Sequence, residues 1–312
     1  MAPTDYQSLI DAPTWAFIAR TNACYPEDTA SRSITDQRTI YDAMARSFHR
    51  GYPPGITARD ESVGGVPCRI YPGRAPVVIY LHGGGFVVGG LDSHDDVCAE
   101  IAADCGVRVV SVDYRLAPEH RHPAQFDDAF AATGAVAAAF PAPLILAGDS
   151  AGGKLAAAAA HAARATGPAI AGQVLIYPDL GGDQNRGSYV THAEAPMLTK
   201  ADIDFYAHVR FPEGYDADGD VTARPLHDRD FSGLPPTVAI GAECDPLCDD
   251  AAVYAARIRA AIGAAIAWVE PGLVHGYLRA RVTVSRARNS FARITSAISA
   301  LAEGRLPNEP TL

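Results

Sequence analysis

Nowhere in the 312-residue chain does an apolar window approach the roughly 18 residues needed to cross a bilayer, so no transmembrane helix is expected. The opening stretch MAPTDYQSLIDAPTW has neither a basic n-region nor an apolar h-region. No secretory leader is read there, and a cytoplasmic location is expected. Basic residues are in deficit: 26 Lys and Arg stand against 36 Asp and Glu, a formal net charge of -10. Clustered cations supply the attraction to phosphate backbones and anionic lipid surfaces, so neither a nucleic-acid nor a membrane partner is expected. Cysteine is sparse. The six residues at 24, 68, 98, 105, 244 and 248 lack the density and spacing of a disulfide framework and read as reduced thiols. Cys244 and Cys248 stand closest, yet no second Cys or His pair is near enough in sequence to complete the four ligands zinc normally takes.

What the chain does have is apolar filling, 48% of its residues, enough for a sizeable core. Short β-branched runs (APVVIYLH, VRVVSVDY, PLILAGDS, GQVLIYP, PTVAIGAE, AAIAWVE) alternate with Ala-rich helical stretches. That alternation predicts an α/β fold with a mostly parallel sheet flanked by helices. A hairpin of ITARDESV and VPCRIYP around Gly64 and Gly65 brings the strands to about eight. Residues 1–50 carry helical apolar spacing at Tyr6, Ile10, Trp15 and Ile18, then at Ile40, Met44 and Phe48. More than fifty residues between Pro178 and Pro236 hold no clear βα unit, only the helical segment LTKADIDFYAHVRF. Long insertions in compact domains are usually lids or binding elements. The expected organisation is N-terminal cap helices over 1–50, a first part of the core over 51–182, a cap insertion over 183–232 and a second part of the core over 233–312.

Gly148-Asp149-Ser150-Ala151-Gly152 is a G-x-S-x-G between the strand PLILA and the helix GKLAAAAAHAARA. A bare pattern of this kind arises by chance on the order of 0.1 times in a chain this long, so the strand-to-helix setting carries the weight. A serine hydroxyl becomes a useful nucleophile when a sharp turn exposes it and a base serves it. His82-Gly83-Gly84-Gly85-Phe86 follows another strand end. Acyl transfer passes through an oxyanion that aimed backbone N–H groups stabilise. The expected donors are Gly84, Gly85 and Ala151, while His82 reads as a structural hydrogen bonder. A phosphate loop would need G-x-G-x-x-G or a Lys-Ser/Thr ending, and neither is present. Of ten histidines, only His275 lies beyond the last strand, which makes it the candidate base. Asp245 stands just past the strand PTVAIGAE, at the sheet edge where open α/β folds gather their sites. Asp249 and Asp250 are its alternatives, with helix-dipole stabilisation as their ordinary explanation.

Together HGGGF at 82–86, YRLAPEH at 114–120, GDSAGG at 148–153, DPLCDD at 245–250 and HGY at 275–277 make the chain resemble the bacterial hormone-sensitive-lipase-like esterases, an α/β-hydrolase family. The spacings of 95 residues from Ser150 to Asp245 and 30 from Asp245 to His275 are similar to that family's. The resemblance implies an eight-stranded sheet with a helical cap, no cofactor or metal, and carboxylesterase action on small esters with short or medium acyl chains. Ser150 would be the nucleophile, His275 the base and acid, and Asp245 its orienting partner. The same triad could open amides or N-formyl groups. A catalytically silent small-ligand receptor shares the fold, but related receptors lose a triad member. Homodimerisation is left open.

Four further readings are smaller. Arg115 and Glu119 are expected to pair under the site, or to be a plain surface turn. Glu119, His120 and His122 lack a fourth ligand for a metal. Phe86, Phe205, Tyr206 and Phe211 are placed either on the substrate pocket or in packing between cap and core. The charges spread along LTKADIDFYAHVRF argue against docking on a lipid interface.

Overall fold

The computed structural model describes residues 4–308; the first three residues of the expected N-terminal cap span and the last four of the C-terminal core span lie outside the described residues. In chain order the elements are α1 (Tyr6–Leu9), α2 (Ala12–Asn22), α3 (Ile34–Phe48), β1 (Arg59–Val63), β2 (Val66–Tyr71), β3 (Arg74–Leu81), α4 (Asp95–Cys105), β4 (Val107–Val112), α5 (Ala124–Ala139), β5 (Leu144–Asp149), α6 (Ala151–Thr166), β6 (Ile170–Ile176), α7 (Ser188–Thr191), α8 (Lys200–Arg210), β7 (Thr237–Cys244), α9 (Cys248–Ala260), β8 (Ala265–Val274) and α10 (Ser285–Ala302).

The strands form one eight-stranded sheet in the order β1-β2-β4-β3-β5-β6-β7-β8. β2 runs antiparallel to β1 and β4, and every other pairing is parallel. Because side chains alternate along a strand, Val78, Tyr80 and Ile145 pack on one face with α4 and α10. Val77, Ile79, Leu81, Leu144 and Leu146 pack on the other with α5, α6 and α9. Helices on both faces explain why the central strands read as unbroken apolar runs rather than alternating ones. A side chain at Gly152 would sit 1.9 Å from the Leu81 carbonyl oxygen. Glycine there lets the start of α6 rest on the end of β3, which brings two functional loops together.

Four of the parallel strands end in a sequence motif: β3 in the glycine turn, β5 in Ser150, β7 in Asp245 and β8 in His275. Parallel strands share one C-terminal edge, so the topology alone gathers these loops.

The N-terminal helices dock by their apolar faces. Phe17 and Ile18 of α2 and Met44 and Phe48 of α3 are buried in the main core cluster. Arg38 of α3 donates to the Val87 and Ala117 carbonyls at 2.8 and 2.7 Å and pairs with Glu119 at 2.7 Å. The expected Arg115–Glu119 pair is therefore not formed. Arg115 turns toward α5 and pairs with Asp128 at 2.8 Å, and its side chain is 47% exposed. The brace exists, but it runs from the loop to an N-terminal helix. Within the insertion, α8 opens on a reciprocal cap: Asp202 N–H donates to Thr199 Oγ1 at 3.1 Å, and Thr199 N–H donates to the Asp202 carboxylate at 2.8 Å.

Candidate active site

Ser150 occupies the tight turn between β5 and α6 with φ +54° and ψ -120°, a conformation side chains rarely adopt. The turn aims its hydroxyl off the sheet edge. Ser150 Oγ stands 2.9 Å from His275 Nε2, and His275 Nδ1 stands 2.7 Å from Asp245 Oδ2. Asp245 is fully buried, and its other oxygen accepts the Leu247 N–H at 2.9 Å. With Asp245 accepting from Nδ1, the imidazole is left as the tautomer whose Nε2 accepts the serine proton. Burial disfavours the imidazolium, but the charge and hydrogen bond of Asp245 outweigh it and raise the His275 pKa above its usual value. The three residues singled out from chain order thus come together.

The alternatives for the acid lie elsewhere in function. Asp250 accepts from the Leu180 N–H at 2.7 Å and the Tyr189 hydroxyl at 3.1 Å, and Asp249 accepts from the Ser188 N–H at 2.8 Å. Both fasten the base of the insertion to α9. Burial, reinforced by the nearby Asp179 charge, pushes the Asp250 carboxyl up to about 7.

Asp149, whose role sequence reasoning left undefined, proves to organise the glycine turn. Its buried carboxylate accepts the Tyr80 hydroxyl at 2.8 Å and the Gly83 N–H at 3.0 Å, and it faces His94 Nε2 at 3.3 Å. Burial opposes its charge, yet His94, Arg279 and the Tyr80 hydroxyl prevail and hold it well below the usual carboxylate range. The first N–H of the turn is thereby engaged. Those of Gly84, Gly85 and Ala151 donate to no protein acceptor among the described residues, which leaves them free for a ligand oxygen. His82 is wholly buried, stacks on Tyr114 with centroids 4.2 Å apart, and donates from Nδ1 to the Gly83 carbonyl at 2.8 Å. Burial first, then the charge of His94, brings its pKa down to about 4. A neutral, structural histidine is the result.

A cavity of about 540 Å³ opens over Ser150 and His275. Gly84, Gly85 and Ala151 line it from the sheet edge, Tyr41 and Met44 from α3, and Tyr206 from α8. Phe86, Phe205, Tyr206 and Phe211 all reach it, so the pocket reading of these aromatics holds alongside packing. Sequence reasoning missed Lys154, Asp179, Arg210 and Arg279, which also line it. The signal was faint. Lys154 falls one helical turn after Ser150, and Arg210 falls one turn after Tyr206, each on the same helix face as its neighbour. Among the described residues no cluster of three or more His, Cys, Asp or Glu is arranged to hold a metal, and no helix is long and apolar enough to cross a membrane.

The α/β-hydrolase fold family matches residues 78–279. Carboxylesterase NlhH of Mycobacterium tuberculosis is 40% identical over 249 residues, which span 75% of this chain and 77% of that protein. Ester-hydrolase EH1AB1 from the metagenome of Lake Arreo, solved in complex with a derivative of bipyridine phosphonate, is 31% identical. It superposes with a TM-score of 0.85 over 94% of this chain and 99% of that one. An esterase from the bacterial hormone-sensitive lipase family, 28% identical, superposes with the same TM-score of 0.85 over the same shares, 94% and 99%. The chain belongs to the α/β-hydrolase fold family, and within it to the hormone-sensitive-lipase-like esterases.

Proposed function

We propose that this protein is a carboxylesterase that cleaves small carboxylic esters of short to medium acyl chain through an acyl-enzyme on Ser150. The observation that carries the reading is the unbroken hydrogen-bonded line from Asp245 through His275 to Ser150 Oγ, at 2.7 and 2.9 Å. Ser150 attacks the ester carbonyl as its proton passes to His275 Nε2. Asp245 holds the ring and stabilises its charge without taking the proton. The N–H groups of Gly84, Gly85 and Ala151 receive the oxyanion, each worth about 2.7–4 kcal/mol where such a donor has been removed. His275 then protonates the departing alcohol. Water repeats the sequence and frees the acid.

The helices within 1–50 and 183–232 act as a cap that closes over the ester, with 51–182 and 233–312 forming the core beneath. A cavity of about 540 Å³ falls in the range of small-ligand sites. The reading places the enzyme in the cytoplasm, acting on dissolved esters. An intact triad weighs against a silent receptor. Hydrolysis of p-nitrophenyl acetate and butyrate is the direct test: Ser150→Ala is expected to lower kcat by about 10⁴-fold or more. Equal rates in the two proteins would overturn the proposal.

A further inference from the structure

The cap side of the cavity contains a cation that the chemistry above does not use. Arg210, the last residue of α8, is 1% exposed, yet no carboxylate pairs with it among the described residues. Its Nη2 donates to His122 Nδ1 at 3.1 Å, and the far side of that imidazole faces Asp220 at 2.8 Å. Nε and Nη1 have no acceptor among the described residues. The guanidinium carbon lies 3.6 Å from the centroid of the Phe86 ring. Stacking on an aromatic ring and the C-terminal end of a helix both favour a cation there. Neither satisfies N–H groups at the edge of the plane, and leaving such groups buried without acceptors is costly.

The charges around Arg210 do not balance it. Lys154, 5% exposed, pairs with Asp179 at 2.7 Å, and its ammonium lies 5.7 Å from the Phe86 centroid. Asp220 is engaged by His122, Thr222 and Tyr215. Two cations therefore flank Phe86: Asp179 pairs directly with Lys154, whereas Arg210 reaches a carboxylate, Asp220, only through His122. Burial pulls the Arg210 pKa down to about 10 against the opposing charge of Asp179, and burial lowers that of Lys154 as well. In both, burial outweighs the nearby carboxylates.

Position ties these cations to the reaction. Phe86 directly follows Gly85, and a side chain on Gly85 would meet the Tyr206 ring at 2.4 Å. Tyr206 and Arg210 are four residues apart on α8, so the helix face that covers the glycine turn continues to the guanidinium. Lys154 N–H donates to the Ser150 carbonyl at 3.1 Å, so its helix carries the ammonium out from the nucleophile.

Building on the esterase reading, we propose that Arg210, supported by Lys154, forms an anion subsite, and that the preferred substrates are esters bearing a carboxylate a few bonds from the scissile carbonyl. A planar guanidinium with free edge donors suits a carboxylate.

The test compares matched esters that differ in one charge. For the acyl side these are the mono-p-nitrophenyl esters of succinate, glutarate and adipate against p-nitrophenyl esters of neutral acids of equal length. For the alcohol side they are 4-acetoxyphenylacetate against 4-methylphenyl acetate. In the wild type, one arm is expected to favour the anion by about tenfold or more in kcat/KM. The anionic-to-neutral ratio should fall toward one in Arg210→Met and partly recover in Arg210→Lys. A wild type that favours the anion in neither arm overturns the subsite, as does a preference that survives Arg210→Met. If Arg210→Met does not fold, competitive inhibition of the wild type by glutaramate, whose far end is a carboxylate, and by the neutral pentanamide of equal chain length decides, and equal inhibition overturns the proposal. Failure to cleave any of these esters would instead count against the esterase reading, whereas brisk cleavage of the neutral esters without anion preference counts against the subsite alone.

Discussion

The cavity has two walls, and they treat charge differently. On the sheet side the carboxylates are paired: Asp245, behind His275, accepts from His275 and Leu247, and Asp149 accepts from Tyr80 and Gly83. On the cap side Arg210 is as deeply buried as Asp149, at 1% against 3% exposed, yet two of its nitrogens lack acceptors. Burial alone thus does not separate them. On the proposed mechanism, the sheet wall is already organised for the bond-making step and needs no rearrangement to receive charge. The cap wall holds donors in reserve, the expected condition of a surface that a ligand completes.

The sharpest way to break this contrast is to disorganise the sheet wall. Asp245→Asn reverses the donor to His275 Nδ1 and favours the unproductive tautomer, so kcat should drop by about 10⁴-fold. Because the wild-type imidazole titrates above its usual value and must be neutral to act, the acid limb of kcat/KM should lie above the ordinary histidine pKa. It should move down in the Asn variant. A limb that stays put would separate the pair seen in the structure from the working base.

A smaller loss is expected from Gly85→Ala, at a position with φ +60° where the added methyl meets the Tyr206 ring at 2.4 Å. Displacing one oxyanion donor should cost about 100-fold or more in kcat. Gly219→Ala, with nothing within 4 Å of the new methyl, serves as the control and should leave kcat unaltered. Comparable activity in both variants would refute the role given to the turn.

The smallest effect probes the insertion's anchor. Asp250 holds its proton to about 7 in the folded protein against an ordinary 3.8. Its contribution is therefore complete below about pH 3.8 and lost as pH rises through about 7. Asp250→Asn keeps an acceptor for the Leu180 N–H and has no proton to lose, so it should flatten the pH dependence across that window. At pH 8 it should be more stable than wild type by on the order of 1–3 kcal/mol. Urea midpoints at pH 5 and pH 8 that shift in parallel for both proteins would contradict this account.

How much of this was legible beforehand follows from where the information is stored. The strands were readable because covered parallel strands must be apolar throughout, as at Val77–Leu81. Ser150, Asp245 and His275 were readable because each directly follows a strand whose end the topology fixes. Asp149 was visible within its motif, but its bond to Gly83 N–H spans 66 positions, and no local pattern encodes it. The Arg115–Glu119 expectation failed for a related reason: neighbours along a loop can face apart, and here Arg38 lies 81 positions from its partner Glu119. Arg210 was hardest to see. A charged residue on a polar-looking helix reads as solvent-facing until tertiary packing buries it.

The bond between Asp149 and Gly83 also has a mechanical meaning. Ser150 and the glycine turn grow from different strands, yet the side chain next to the serine grips the first residue of that turn after His82. On the proposed mechanism, this bond ties the position of the nucleophile to that of the anion cradle. The tie lies within the core and uses no residue of the covering helices, so the proposed alignment does not depend on them for this contact.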